Sequence, residues 1–299
     1  NPVSELVDAS AQDLSDSGTV SFDDIDTTDT VSISFASNND ITWVNPDGET
    51  IDPATAAALV AGFNTGVIDA DAPGTTPWNY SVLGANLDFL AEGESITFSY
   101  TVTATDSEQA TDTTTVAFTI TGTNDAPTVS ATQANPVSEL VDASAQDLSD
   151  SGTVSFDDID TTDTVSISFA SNNDITWVNP DGETIDPATA AALVAGFNTG
   201  VIDADAPGTT PWNYSVLGAN LDFLAEGESI TFSYTVTATD SEQATDTTTV
   251  AFTITGTNDA PTVSATQANP VSELVDASAQ DLSDSGTVSF DDIDTTDTV

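Results

Sequence analysis

Polar and apolar residues alternate along much of this chain with a period of two. In SITFSYTVTAT, residues 95–105, Ile96, Phe98, Tyr100, Val102 and Ala104 fall on one side and serine or threonine on the other. That period predicts a half-buried β-strand. TTTVAFTIT, residues 113–121, repeats it with Val116, Phe118 and Ile120, and shorter runs occupy 19–22, 30–35, 41–44 and 78–83. The outward positions are threonine and serine, which suit a pleated surface through β-branching or small size. Six or more such strands, with turn residues between them, predict an all-β fold, an antiparallel sandwich of the cadherin or immunoglobulin kind. One stretch breaks the period. In IDPATAAALVAGF, residues 51–63, Asp52 reads as an N-cap, Pro53 as the first helical residue and Gly62 as the stop. This short helix would lay Leu59, Val60 and Phe63 on the sandwich. Trp43 and Trp78 sit within alternating strands, where core packing is expected of them and sugar stacking is the alternative.

The whole pattern recurs. NPVSELVDAS begins at residues 1, 135 and 269, residues 1–134 match 135–268 at every position, and the last 31 residues copy the first 31. A unit of this size can hold its own core, unlike the short units of a solenoid. The expected organisation is beads in series: repeat 1 over 1–125 without its first few residues, a complete repeat 2 over 126–259, and the start of repeat 3 over 260–299. The chain reads as an excerpt from a longer array. TITGTNDAPTVS, at 119–130 and again at 253–264, would then be the seam between consecutive units.

Charge narrows the chemistry. The chain has 50 acidic residues and no Lys, Arg or His. Unbalanced charge of one sign keeps a chain soluble but works against compaction, so the fold calls for strong salt screening or bound cations. Nucleic acid and anionic membrane surfaces, which need basic residues, are excluded as partners. A hydrophobic content of 38% and the regular alternation argue against a disordered chain. Cys and Met are absent, so there is no thiolate metal site and no disulfide framework. No apolar run of about 20 residues is present to cross a membrane. No leader is visible either, which for an excerpt is uninformative. Nucleophile–base catalysis lacks its usual residues. A carboxylate pair for glycoside hydrolysis is the one enzymatic route left, and no pair stands out, so a non-enzyme is expected.

The acidic residues are clustered. FDDIDTTD places Asp23, Asp24, Asp26 and Asp29 after a strand; DFLAEGE supplies Asp88, Glu92 and Glu94; ATDSEQATD supplies Asp106, Glu108 and Asp112 in a hairpin loop; IDADAPG adds Asp69 and Asp71. Each could be a plain solvated turn. Together, with no countercharge, they point to Ca²⁺, a hard cation that takes six to eight oxygen ligands. Zinc and copper would want nitrogen or sulfur. The EF-hand spacing fails throughout.

In this order the motifs resemble a known family. LDFLAEGESITFSYTVTATDSEQATDTTTVAFTITGTNDAP, residues 87–127, is similar to the end of the VCBS repeat, a cadherin-like module of very large bacterial surface proteins. SGTVSFDDIDTTDTVSIS, residues 17–34, resembles that family's opening strands. The resemblance implies calcium at the joints between units. At the first joint it implies ligands from Glu5, from Asp88 with Glu92 or Glu94, from Asn124 and Asp125 in the linker, and from Asp158, Asp160 and Asp240 of the next unit. At the second, the counterparts are Glu139, Asp222, Glu226, Glu228, Asn258, Asp259, Asp292 and Asp294. The linker GTNDAP is less acidic than a cadherin linker, which implies one or two ions per joint. The expected function is the stalk of an extracellular adhesin or matrix filament, at the cell surface or in secreted matrix, with neighbouring repeats as its partners. Two alternatives stand beside it: a sugar- or cell-binding module acting through the insertion at 36–77, and a subunit of a fibre assembled from other copies.

Overall fold

The structure, a computed structural model, describes residues 3–7, 11–26, 28–46, 48–66, 69–141, 145–200, 203–276 and 279–298. The first copy contains β1 (Val3–Ser4), β2 (Gln12–Phe22), β3 (Thr30–Ser37), β4 (Thr42–Val44), α1 (Pro53–Val60), β5 (Phe63–Thr65), β6 (Asp69–Asp71), β7 (Gly74–Ala85), β8 (Ser95–Asp106) and β9 (Thr111–Thr121). One sheet runs β1-β9-β8-β3-β6, with β4 also on β8, and the other runs β2-β7-β5. All pairings are antiparallel except that of β1 with β9. The fold is therefore the expected antiparallel sandwich with one short helix per repeat.

The second copy repeats this order as β10 (Thr128–Ala131), β11 (Val137–Ser138), β12 (Gln146–Asp157), β13 (Thr164–Ser171), β14 (Thr176–Val178), α2 (Pro187–Val194), β15 (Phe197–Thr199), β16 (Asp203–Asp205), β17 (Gly208–Ala219), β18 (Ser229–Thr239) and β19 (Thr245–Thr255). Its smaller sheet has four strands, β10-β12-β17-β15. β20 (Thr262–Ala265) and β21 (Val288–Asp291) form a two-stranded sheet after it.

Each core lies between the two sheets. Phe98, Tyr100 and Phe118 from the larger sheet meet Phe63 and Tyr80 from the smaller, with Phe63 stacked on Tyr100 at 4.3 Å. The helix is held at both ends. Asp52 caps α1 by accepting from the Ala54 and Thr55 amides, as predicted. At the other end, the Tyr80 and Tyr100 hydroxyls donate to the Leu59 and Val60 carbonyls at 3.0 and 2.6 Å, satisfying acceptors that a helix end leaves open. Gly62 follows the helix for a reason other than the expected one. The cap is Ala61 in a right-handed conformation, and a Cβ on Gly62 would meet Val82 at 2.6 Å and the Ser81 carbonyl at 2.9 Å. Close approach to β7, not a left-handed turn, requires glycine there.

The tryptophans pack as core residues. Trp212 is 0% exposed and donates to the Thr132 carbonyl at 3.0 Å. Trp78 is half-buried in the three-stranded sheet, which has no counterpart of β10. Trp43 is half-buried against Phe89, 4.9 Å between ring centres.

Between β9 and β10, residues 122–127 form a strap from one copy to the next. Gly122 opens it. A Cβ there would lie 1.9 Å from the Leu90 carbonyl oxygen and 2.2 Å from that of Ala91, so the glycine of the seam motif is the price of passing this backbone. Gly122→Ala should cost about 3 kcal/mol, the upper end for overpacking at a rigid contact. Urea unfolding of the full chain checks it, and Gly48→Ala, where nothing lies within 4 Å and only a left-handed backbone (φ +73°) opposes a side chain, gives the cost of that strain, about 1–2 kcal/mol, without a clash.

Candidate metal centre

Three rigid pieces of the first copy carry acidic groups to the strap. Glu5 follows β1, its amide donates to the Thr121 carbonyl at 2.8 Å, and its carboxylate accepts from the amide and hydroxyl of Thr123. Asp88 sits in a tight turn between Leu87 and Leu90, both fully buried. Asp125 comes from the strap itself. Carboxylate oxygens of Glu5, Asp88 and Asp125 lie within 4.8 Å of one another, and all three residues are buried.

The second copy supplies a facing set. The turn after β12 is closed by the Asp160 amide on Asp158 Oδ1 at 3.1 Å and the Asp163 amide on the Asp160 carbonyl at 2.9 Å. Asp240 heads the β18–β19 hairpin, where its carboxylate accepts from Ala244. Oxygens of Asp158, Asp163 and Asp240 again lie within 4.8 Å of one another, all buried. The strap joins the two sets. The Asp125 amide donates to Asp160 Oδ2 at 2.8 Å, and Asn124 Nδ2 donates to Asp240 Oδ2 at 3.0 Å. Farther on, the Val129 amide donates to Asp246 Oδ2 at 2.9 Å.

Seven carboxylates thus meet at one seam, in a chain with no basic side chain. Burial raises the pKa values of Glu5, Asp158, Asp160 and Asp163, and repulsion from neighbouring carboxylates adds to the shift. Asp160 is pushed up to about 8, with Asp125, Asp163 and Asp158 repelling it. Asp163 rises to about 7 beside Glu242, Asp158 and Asp240. Asp158 rises to about 6 beside Asp240 and Asp125. Glu5 is also raised, by burial and then by Asp125 and Asp88. Several buried oxygens here have no hydrogen-bond donor: Glu5 Oε1, Asn124 Oδ1, Asp158 Oδ2, Asp160 Oδ1 and Asp163 Oδ2. A buried acceptor without a donor is costly. An all-oxygen set with spare lone pairs is the donor chemistry of a hard divalent cation.

The repeat provides its own comparison. Asp24, Asp26 and Asp29 of the first copy have the same sequence as Asp158, Asp160 and Asp163, yet they are exposed or half-buried. The seam, not the turn alone, creates the buried site. At the second joint Glu139, Asp222 and Asp259 form the first set again, and the Asp259 amide donates to Asp294 Oδ2 at 2.8 Å. Asp294 is buried and Asp292 half-buried. Asn258 turns to the Asp259 carbonyl instead.

Of the residues expected at the first joint, Glu5, Asp88, Asn124, Asp125, Asp158, Asp160 and Asp240 converge. Glu92 and its counterpart Glu226 do not: both are exposed at the turn before β8 or β18. Glu94 and Glu228 are buried but already engaged. Glu94 Oε2 accepts from Trp43 Nε1 at 2.8 Å and Oε1 from the Thr162 hydroxyl at 3.0 Å; Glu228 does the same with Trp177 and Thr296. Asp163, which joins Asp158 and Asp240 in the facing set, was not among the expected residues, although its equivalent Asp29 stands in the same acidic run. Of IDADAPG, Asp71 is exposed in β6, and the Asp69 side chain lies outside the described residues.

No protein-family model matches the chain, and no curated protein matches it. Among solved structures, protocadherin gammaB7 domains EC3-6, in a cis-dimer structure, are 13% identical, with 78% of this chain and 42% of that chain covered and a TM-score of 0.36. This chain therefore spans less than half of that protein. The Escherichia coli adhesin CfaE is 13% identical over 83% of this chain and 81% of that one, at a TM-score of 0.30. The Yersinia pseudotuberculosis adhesin InvE is 13% identical over 84% and 56%, at 0.22. Likenesses this distant carry nothing about function.

The pKa shifts predict a pH dependence with a definite sign. Carboxylates raised above their ordinary value near 3.8 favour the closed seam fully below that value and lose this contribution as pH rises through about 6 to 8. In chelator, the melting temperature of the full chain should therefore fall between about pH 5 and about pH 9. Ordinary surface carboxylates titrate near pH 4, so a fall in the higher window reports on the seam. Calorimetric melts across that range provide the measurement.

Proposed function

We propose that this chain is a run of structural repeats from an extracellular adhesin stalk or matrix filament, stiffened by Ca²⁺ at each joint. The observation that carries this reading is the seam. Two acidic surfaces are buried against each other, with oxygen ligands to spare and no positive side chain to offset them. We place the unit boundaries at 125/126 and 259/260, so that each seam falls inside TGTNDAP. One ion would be held by Glu5, Asp88 and Asp125, and a second by Asp158, Asp163 and Asp240, with Asp160 and the Asn124 side-chain oxygen between them. A cation bound by both neighbours restricts how far one can bend on the other, turning pliable units in series into a rod. Extracellular calcium modules bind at about 10⁻⁴–10⁻³ M, so the array would stay loose in a calcium-poor cytosol and stiffen after export.

Nothing else in the described residues asks for catalysis. The tryptophans that a sugar-binding surface would expose are half-buried or buried in packing contacts, which favours the stalk over the binding module. No helix among the described residues is long and apolar enough to cross a membrane.

Calcium titration of the full chain tests the proposal. At a calcium concentration about 100 times the dissociation constant, each occupied site adds about 2.7 kcal/mol. The melting temperature should therefore rise, and small-angle scattering should show a longer, less variable particle. Asp158→Asn should weaken binding at the first joint by about tenfold, roughly 1.4 kcal/mol, while Glu92→Gln leaves it unchanged. Melting and scattering curves that are identical in chelator and in calcium would remove the reading.

A further inference from the structure

The turn that supplies Asp158 and Asp160 has a second side. Ile25, in the copy of that turn with no neighbour packed on it, is 95% exposed, whereas Ile159 and Ile293 are 47% and 48% exposed. The surface that covers them belongs to the preceding copy. At the second joint, Ile293 and Thr295 line a cavity of about 430 Å³ together with Trp177, Glu183, Asp186 and Phe223. Trp177 and Phe223 pack edge to face at 4.9 Å, as Trp43 and Phe89 do at the first joint.

Hydrogen bonds frame this contact in the same way at both seams. The Thr161 hydroxyl donates to Glu49 Oε2 at 3.1 Å, and that of Thr295 to Glu183 Oε2 at 3.3 Å. The Thr162 and Thr296 hydroxyls donate to Glu94 and Glu228, whose other oxygens hold the indole N–H groups of Trp43 and Trp177. Each contact pairs a hydroxyl donor with a carboxylate or buries aliphatic surface on an aromatic pair. None requires an ion.

We infer that the insertion at 36–77, with Trp43 and Glu49, forms with Phe89 and Glu94 a metal-independent clamp that seats the Ile–x–Thr–Thr side of the next unit's turn. The partner it fits is another copy of this same unit. A unit carrying the acidic residues but a polar residue in place of Ile159, or lacking the two threonines, would bind cations and still be poorly seated. The clamp thus sets the rotation of one unit on the next before any cation binds, and it selects which unit can follow.

The chain has no cysteine, so a Leu83→Cys/Leu217→Cys pair, at exposed and equivalent positions of the two copies, can be spin-labelled selectively. Distances across the joint are then read by double electron–electron resonance on the full chain. In chelator, the parent should give a narrower distance distribution than Ile159→Ser. Ile25→Ser makes the same change where no neighbour packs; an unchanged melting temperature and an unchanged distribution for it show that the turn tolerates serine. Millimolar calcium should narrow the distributions of both the parent and Ile159→Ser. A variant that remains broad in calcium still supports the clamp and counts against the ions, so the two readings fail separately. Equal widths for parent and Ile159→Ser in chelator would overturn the clamp.

Discussion

Seven carboxylates buried at one seam, with no cationic side chain in the whole protein, form the constraint around which the joint is built. The donors the chain can offer carboxylates are backbone amides, hydroxyls, side-chain amides and indole N–H groups, all uncharged. It uses these sparingly: Thr123 for Glu5, the Asp125 amide for Asp160, and Asn124 for Asp240. This leaves lone pairs over and charge unrelieved. Bringing such groups together demands stiff supports, because repulsion would otherwise open the turns. Asp88 is pinned between two fully buried leucines, Glu5 hangs from a strand pairing, and the strap passes close enough to the Leu90 and Ala91 carbonyls that only glycine fits. The sandwich cores provide that stiffness, and the seam depends on it.

The strands were legible because alternation records a buried face directly, and the helix because Asp52 and Pro53 announce its start. The short strands β1, β5 and β6 were not, since two or three residues show no period. The seam was legible as a place, from the repeat and from TGTNDAP, and most of its residues followed from the resemblance. Its selectivity was not. Glu92 and Glu94 are equivalent as letters, yet one faces solvent and the other is taken by an indole and a threonine. Only the packing of Trp43 on Phe89 decides between them. Asp163 carried a signal, its place in an acidic run after a strand, but its convergence with Asp158 and Asp240 depends on a hairpin far away in sequence.

The identical copies separate what the sequence dictates from what the neighbour adds. Asp24, Asp26 and Asp29 already hold oxygens close together on their own turn, so local folding prepares half of the site. Burial and the link to Asp125 arrive only with the preceding copy. A buried site shared in this way is not available to an isolated unit.

The same alternation that marks the strands continues past the end of β12 into the turn. Asp158 and Asp160 point into the seam and are buried, while Ile159 and Thr161 lie on the other side, facing the preceding copy's loop. Because a period of two separates neighbours in sequence onto opposite faces, five residues can serve two unlike surfaces without compromise, one electrostatic and one apolar. The two surfaces also respond to different conditions. Apolar contact carries no charge to titrate or to be screened, in a range where raised carboxylates titrate and salt screens charges. On the proposed reading, a joint built on both would keep its orientation when the charges are changed and gain stiffness when a cation neutralises them.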